Sequence, residues 1–337
     1  MGTKTLADVA AHAEVSVQTV SNALNNPALL KRETLERVLL AVEALGYAPN
    51  VQARRLRQRT VATIGVRIEP ITDNIASSLL DRFLHELTAR ADERGEHVML
   101  FTATSGEEEV RKIGELARQR AADRFVLTST HAGDPRIAAL LASDMRFVAF
   151  GRPWSPAPTH SWVDVDGAAG VGEATEALID AGHRRIGFLG WPRGSGSGDD
   201  RRLGWARALR QRLGFDEAML ETLTARCEDR PDEAVATAQR LIQLGADSLV
   251  CASDSLAAGA IGAAMQLGCS LPVIGFDNTS LAAGIGFSSI DQSLGDVASA
   301  ALTAIDDDAP FSTSIVRPQL VRRDHPRWGI APAASTP

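Results

Sequence analysis

Two apolar stripes sit almost end to end at the start of this chain, and they leave few folds open. Leu6, Val9, Ala10 and Ala13 recur at i, i+3, i+4 and i+7, and Val20 and Leu24 follow at i and i+4. Each stripe is preceded by a capping residue. Thr5 stands before the first, with Asp8 in the Glu/Gln place of a capping box, and Ser16 stands before the second. Pro27 ends the second helix. A third is predicted from about Arg32 to Leu45, with Leu35, Val38, Leu39 and Val42 as its buried face and Gly46 as its C′ residue. Such a trio makes an ordinary small bundle, a docking domain for another protein, or a helix-turn-helix. The outward residues favour the last. The second helix exposes Val17, Gln18 and Asn22, and the amides of Gln18 and Asn22, four apart on one face, suit bidentate pairing with adenine. Thr19 and Ser21 are small enough to approach a phosphate.

The stretch from Asn50 to Arg59 reads in two ways. Asn50 can cap a short helix containing Ala53, Arg54, Arg55, Leu56 and Arg57, but about two turns are unstable alone in water. It is either a flexible basic linker or a helix that a partner orders. Charge separates this end from the rest. Residues 1–60 hold eight Lys and Arg against five Asp and Glu, whereas the whole chain of 337 residues carries −7. A basic module ahead of an acidic body suits contact with nucleic acid at one end only, although an acidic enzyme with a basic tail would look similar.

From Val61 the pattern becomes strand, helix, strand. Short apolar runs at Ala62–Val66, Val98–Phe101, Arg124–Leu127, Phe147–Phe150, Arg185–Leu189, Ser248–Cys251 and Val273–Phe276 alternate with amphipathic stretches. This predicts an α/β body of mostly parallel sheets with helices on both faces. Ligands of such sheets bind beyond the carboxyl ends of strands, so the loops there are the places to search. No signal peptide or membrane span is read, and the odd count of Cys227, Cys251 and Cys269, without metal-ligand spacing, suits a reducing cytoplasm. No metal or cofactor is expected. Gly194–Gly198 is glycine-rich but lacks the Lys-Ser/Thr of a P-loop, and no G-x-S-x-G or H-E-x-x-H occurs, so an enzymatic reading has no nucleophile or metal set to rest on.

The run TLADVAAHAEVSVQTVSNALNN, followed by GYAPN and ARRLR, closely resembles the N-terminus of LacI/GalR-type transcriptional repressors. The order of parts matches too: helix-turn-helix, third helix, hinge helix, sugar-binding core. One departure is Glu14, where that family usually has glycine in the turn. The resemblance implies a helix-turn-helix domain over 1–49, a hinge helix over 50–60, a two-lobed effector-binding core of doubly wound sheets over 61–330 and a tail over 331–337. One lobe would comprise about 61–161 and 291–318, the other 162–290 and 319–330. It also implies that Thr5, Ser16, Val17, Gln18, Thr19, Ser21, Asn22, Asn25, Tyr47 and Asn50 meet DNA. Ala53, Arg54, Arg55 and Arg57 would follow the hinge into the minor groove, with Leu56 as the apolar wedge that kinks the duplex.

For the cleft, the resemblance implies that Arg201, three residues before Gly204, grips a small sugar. Arg202 is the alternative, and Arg201 could instead pair with Asp199. Asp254, after Ser253 where the family usually has asparagine, would be a second ligand group; a plain helix cap is the competing reading. Asp277 would chiefly order its own loop. Asp73, Arg152, Trp154, Trp191 and Gln292 complete the candidates. The expected partners are a pseudo-palindromic double-stranded operator, a small sugar or sugar-like effector, and a second copy of the chain. The rival is a sugar-metabolising enzyme fused to a DNA-binding domain.

Overall fold

A computed structural model describes residues 4–25, 30–45, 63–68, 77–155, 157, 159–307 and 309–330. The chain divides into a unit of residues 1–61 and a unit of residues 62–337.

The first unit holds α1 (Leu6–His12), α2 (Val17–Asn25) and α3 (Arg32–Ala44). The capping box is formed: Asp8 N–H donates to Thr5 Oγ1, and Thr5 N–H returns a bond to Asp8 Oδ2 at 2.7 Å. Val9, Ala10, Ala13, Val20, Ala23, Val38 and Ala41 make the core. The buried face of α3 is rotated from the expected one. Val38 and Ala41 are buried, Leu35 and Val42 pack at the edge, and Leu39 is 47% exposed. Small Ala41 lets α3 approach closely, which turns Leu39 outward. Glu14, in the turn between α1 and α2, has φ +52°, a conformation that costs a non-glycine residue. Glu14→Gly is therefore expected to stabilise this unit by about 0.5–1 kcal/mol, read from its urea midpoint.

The second unit begins with β1 (Thr63–Ile68), α4 (Ser77–Glu93), β2 (His97–Thr102), α5 (Gly106–Arg118), β3 (Arg124–Leu127), α6 (Pro135–Ala142), β4 (Phe147–Phe150) and β5 (Ser161–Val165). It continues with α7 (Gly167–Asp180), β6 (Ile186–Gly190), α8 (Gly196–Leu213), α9 (Glu217–Thr222), β7 (Thr224–Arg226), α10 (Pro231–Gln243), β8 (Ser248–Cys251) and α11 (Asp254–Gln266). The closing elements are β9 (Val273–Phe276), α12 (Ser280–Ile285), β10 (Ser288–Asp291), α13 (Leu294–Asp306), β11 (Thr313–Val316) and β12 (Gln319–Val321).

Two six-stranded sheets result, in the orders β11-β5-β4-β3-β1-β2 and β12-β10-β9-β8-β6-β7. Every pairing is parallel except β12 with β10. The strand order reverses between β1 and β3 in one sheet and between β6 and β8 in the other, which are the crevices where such sheets take ligands. The chain crosses between lobes three times. β5 pairs within the first sheet, so the first crossing follows Val165 rather than 161; the others follow Asp291 and Val316. At the start of the second lobe α7 and α8 pack closely. A Cβ at Gly204 would lie 2.0 Å from the carbonyl oxygen of Ala168, so only glycine allows that approach. The contact sets the height of α8 and, with it, of Arg201.

Candidate functional site

On the first unit, α2 has an ordered first turn and an exposed polar face. Ser16 Oγ accepts the Thr19 N–H at 3.0 Å and lies 2.8 Å from Thr19 Oγ1, which fixes the first turn. Val17 is 44% exposed, and Gln18 is exposed beside it. Gln18 Nε2 donates to Asn22 Oδ1 at 3.1 Å, so the two amides are already aligned along one face. Ser21 is only 9% exposed, so its hydroxyl offers a phosphate less than that of Thr19 does. The Asn25 side chain and Tyr47, Asn50, Ala53, Arg54, Arg55, Leu56 and Arg57 lie outside the described residues, as does Asp73.

In the second unit the loops beyond the strand ends converge on Arg201. This arginine is 7% exposed, with its guanidinium carbon 3.6 Å from the Phe276 ring centroid and 4.8 Å from that of Trp191. Its Nη1 donates to the Ala252 carbonyl at 2.5 Å. Burial pulls its pKa down, and the fields of Asp277, Asp164, Asp229 and Asp200 oppose that shift. Among the described residues no carboxylate lies within ion-pair distance of it. Arg202 is otherwise engaged, paired with Glu217 and Glu221 at the surface, and Asp199 accepts the Gly194 N–H rather than Arg201. Of the two neighbouring arginines, Arg201 is the one in the crevice.

The two aspartates sit in different hydrogen-bonding environments. Asp254 is fully buried and accepts from Thr279 N–H and Oγ1–H, both at 2.7 Å, and from Ser289 Oγ–H at 2.5 Å. Burial raises its pKa against those bonds. It ties the β9 loop to β10, with Oδ2 accepting two of these bonds and Oδ1 one. Ser253 caps α11 through Leu256 N–H and hydrogen-bonds Asp229. The Asp277 carboxylate, by contrast, has one hydrogen-bond partner among the described residues: Gln292 Nε2 donates to Oδ1 at 2.7 Å. Burial pushes its carboxyl up to about 7, against the pull of Arg201. Its φ of +112° is strained for a non-glycine residue and turns it inward from the end of β9.

Arg152 enters from the first lobe, bonded to Asp164 Oδ2 at 2.5 Å and the Val165 carbonyl at 3.0 Å, with Asp200 at 3.7 Å. Burial raises the pKa of Asp200, and Arg152 counters this. Arg152 also stacks 4.6 Å over Trp154, whose ring reaches the second lobe: a Cβ at Gly196 would fall within 2.4 Å of it. Trp191 has a buried indole N–H without a hydrogen-bond partner among the described residues. The residues that sequence reasoning missed are Phe276 and Asp229. Phe276 read as one more apolar strand residue, and only its position against a guanidinium distinguishes it. Among the described residues no group of His, Cys, Asp and Glu is placed to hold a metal ion, and no helix is long and apolar enough to cross a membrane.

Comparison with known proteins agrees with this layout. Residues 5–50 match the family of bacterial regulatory proteins of the lacI family, and residues 77–311 match periplasmic binding proteins and the sugar-binding domain of the LacI family. The transcriptional regulator GalS of Salmonella typhimurium is 31% identical over 284 residues, covering 82% of this chain and 81% of its own. The regulator CelR of Thermobifida fusca is 32% identical over 286 residues, covering 82% and 83%. A solved structure of a CelR–cellobiose complex superposes with TM-score 0.68 at 27% identity, over 95% of this chain and 99% of that one. These relatives are regulators, not enzymes. A DNA-reading helical unit joined to a two-lobed core with a polar crevice, matched along most of its length, makes this chain a LacI-family transcriptional regulator with an effector-controlled, sugar-binding core.

Proposed function

We propose that this protein is a cytoplasmic homodimeric repressor that a neutral sugar, bound around Arg201, releases from a pseudo-palindromic operator. The observation that carries this reading is the state of Arg201: a buried guanidinium held between two rings, surrounded by Asp277, Asp164, Asp229 and Asp200 yet ion-paired with none among the described residues. A donor fork flanked by carboxylate acceptors suits vicinal hydroxyls, which both accept and donate. The described crevice carries more carboxylates than arginines, so a phosphate ester would meet like charge. Asp277 and Arg201 grip the sugar, Arg152, Trp154, Trp191 and Gln292 shape the pocket, and Asp254 holds the loop behind it. The CelR–cellobiose complex supports a sugar of one or two rings.

At the other end, Gln18 and Asn22 read bases, Thr5, Ser16 and Thr19 meet phosphates, and Leu56 wedges the hinge into the minor groove. A two-fold operator needs two reading helices, hence a dimer. The test is displacement of the protein from an operator selected out of a random duplex library, by neutral mono- and disaccharides and by their phosphate esters. Release by a phosphate ester and by no neutral sugar would sink this reading. Gln18→Ala and Asn22→Ala are each expected to cost about 1–3 kcal/mol on the preferred operator and to relax the choice of one base, seen by repeating the selection with each variant.

A further inference from the structure

One cation reaches from the first lobe to the loop that carries Asp277. Arg82 lies in α4, the first helix of the core after the DNA-binding unit in the chain. Its Nη1 donates to the backbone carbonyls of Asp277 and Asn278, each at 2.9 Å, and its Nη2 reaches Asp291 Oδ2 at 3.3 Å. The loop it grips is unusual. Asp277 and Asn278 are consecutive non-glycine residues with φ of +112° and +47°. Asn278 is further held by its N–H to Ser289 Oγ at 3.0 Å, its Nδ2 to Asp291 at 2.8 Å, and Arg323 on its Oδ1 at 2.5 Å. That turn points two successive carbonyls at α4, and a planar guanidinium answers both while keeping Asp291.

We propose that Arg82 is the positioning residue that couples the effector pocket to the first lobe. The inference rests on the reading above that Asp277 takes the effector. Any rotation of the backbone at Asp277 swings the carbonyl that Arg82 holds, so the state of the pocket and the seating of α4 share one set of hydrogen bonds. Arg82 acts on the pocket through the backbone of that loop. Room for a second seating is present. A cavity of about 210 Å³, lined by Arg82, Glu86, Asp291, Ser293, Leu294, Gly295 and Asp296, borders the guanidinium and gives it space on the side away from the Asp277 loop.

The test uses the full chain and the selected operator as probe, with hydrogen exchange followed at the amides of residues 277–279. In the parent, operator binding changes that exchange by at least about fivefold, and in Arg82→Gln by less than about twofold although operator still binds. Arg82→Lys keeps the charge but not the planar grip and loses the response likewise; it serves if the glutamine variant unfolds. A parent loop indifferent to operator, or variants that keep the full response, would overturn the coupling. If no neutral sugar displaces operator from the parent while its loop still responds through Arg82, the reading of the effector fails and the coupling stands.

Discussion

At pH 8, Asp277→Asn is expected to make the core more stable than the parent by roughly 2–4 kcal/mol, while abolishing its response to sugar. An aspartate carboxyl ordinarily titrates near 3.8, and burial raises that of Asp277 to about 7. The unfolded chain therefore gives up this proton long before the folded one does. As pH rises from about 4 to about 7 the group subtracts stability progressively, and above 7 the full cost is present. Asparagine reproduces the protonated form, and its Oδ1 still accepts from Gln292. The sign follows from the direction of the shift: the variant gains most at high pH, and the gap closes as pH falls from about 7 to about 4. Thermal or urea unfolding of both proteins across that range checks it. A variant less stable than the parent at pH 8 would show that Asp277 is ionised and well compensated by Arg201.

Arg201→Met is expected to weaken sugar binding by about 1.5–3 kcal/mol, a factor of roughly 10–150, with operator affinity in the absence of sugar unchanged. Methionine keeps an unbranched stem to lie between Trp191 and Phe276, so the stack is filled and only the charged fork is lost. Asp277 then loses the cation that opposes its burial, and its affinity for protons rises. The pH dependence of sugar binding that follows Asp277 should consequently shift to higher pH in the variant than in the parent. Operator displacement and calorimetric titration with the same sugar check this; normal displacement would remove Arg201 from the pocket.

What was legible in the sequence was local. Thr5 with Asp8, and Ser16 with Thr19, are caps whose partners lie three residues away, and runs such as Phe147–Phe150 announce buried strands by apolarity alone. The short strand Thr224–Arg226 and the edge strand Thr313–Val316 carry few apolar residues in a row, so no run marks them. Asp254 and Asp277 both follow parallel strands and look alike in one dimension. Their difference comes from Thr279 and Ser289, which fold back from far along the chain to occupy Asp254 and leave Asp277 with a single donor. Leu39 misled for a related reason: a leucine satisfied the helical spacing, but small Ala41 took the core position.

The three crossings between lobes also order events on the ribosome. Helices α1 to α3 form one continuous segment and can close their core as soon as they emerge. The first lobe cannot. It needs α13, whose Leu294, Val297, Ala298, Ala301, Leu302 and Ile305 are buried where it packs on β3, β4 and β5, and it needs β11 beside β5. Both emerge only after the whole of α7 to β10 has been made. A nascent chain thus exposes the unfinished apolar face of its first lobe throughout synthesis of the second, and chaperone demand should fall on that interval.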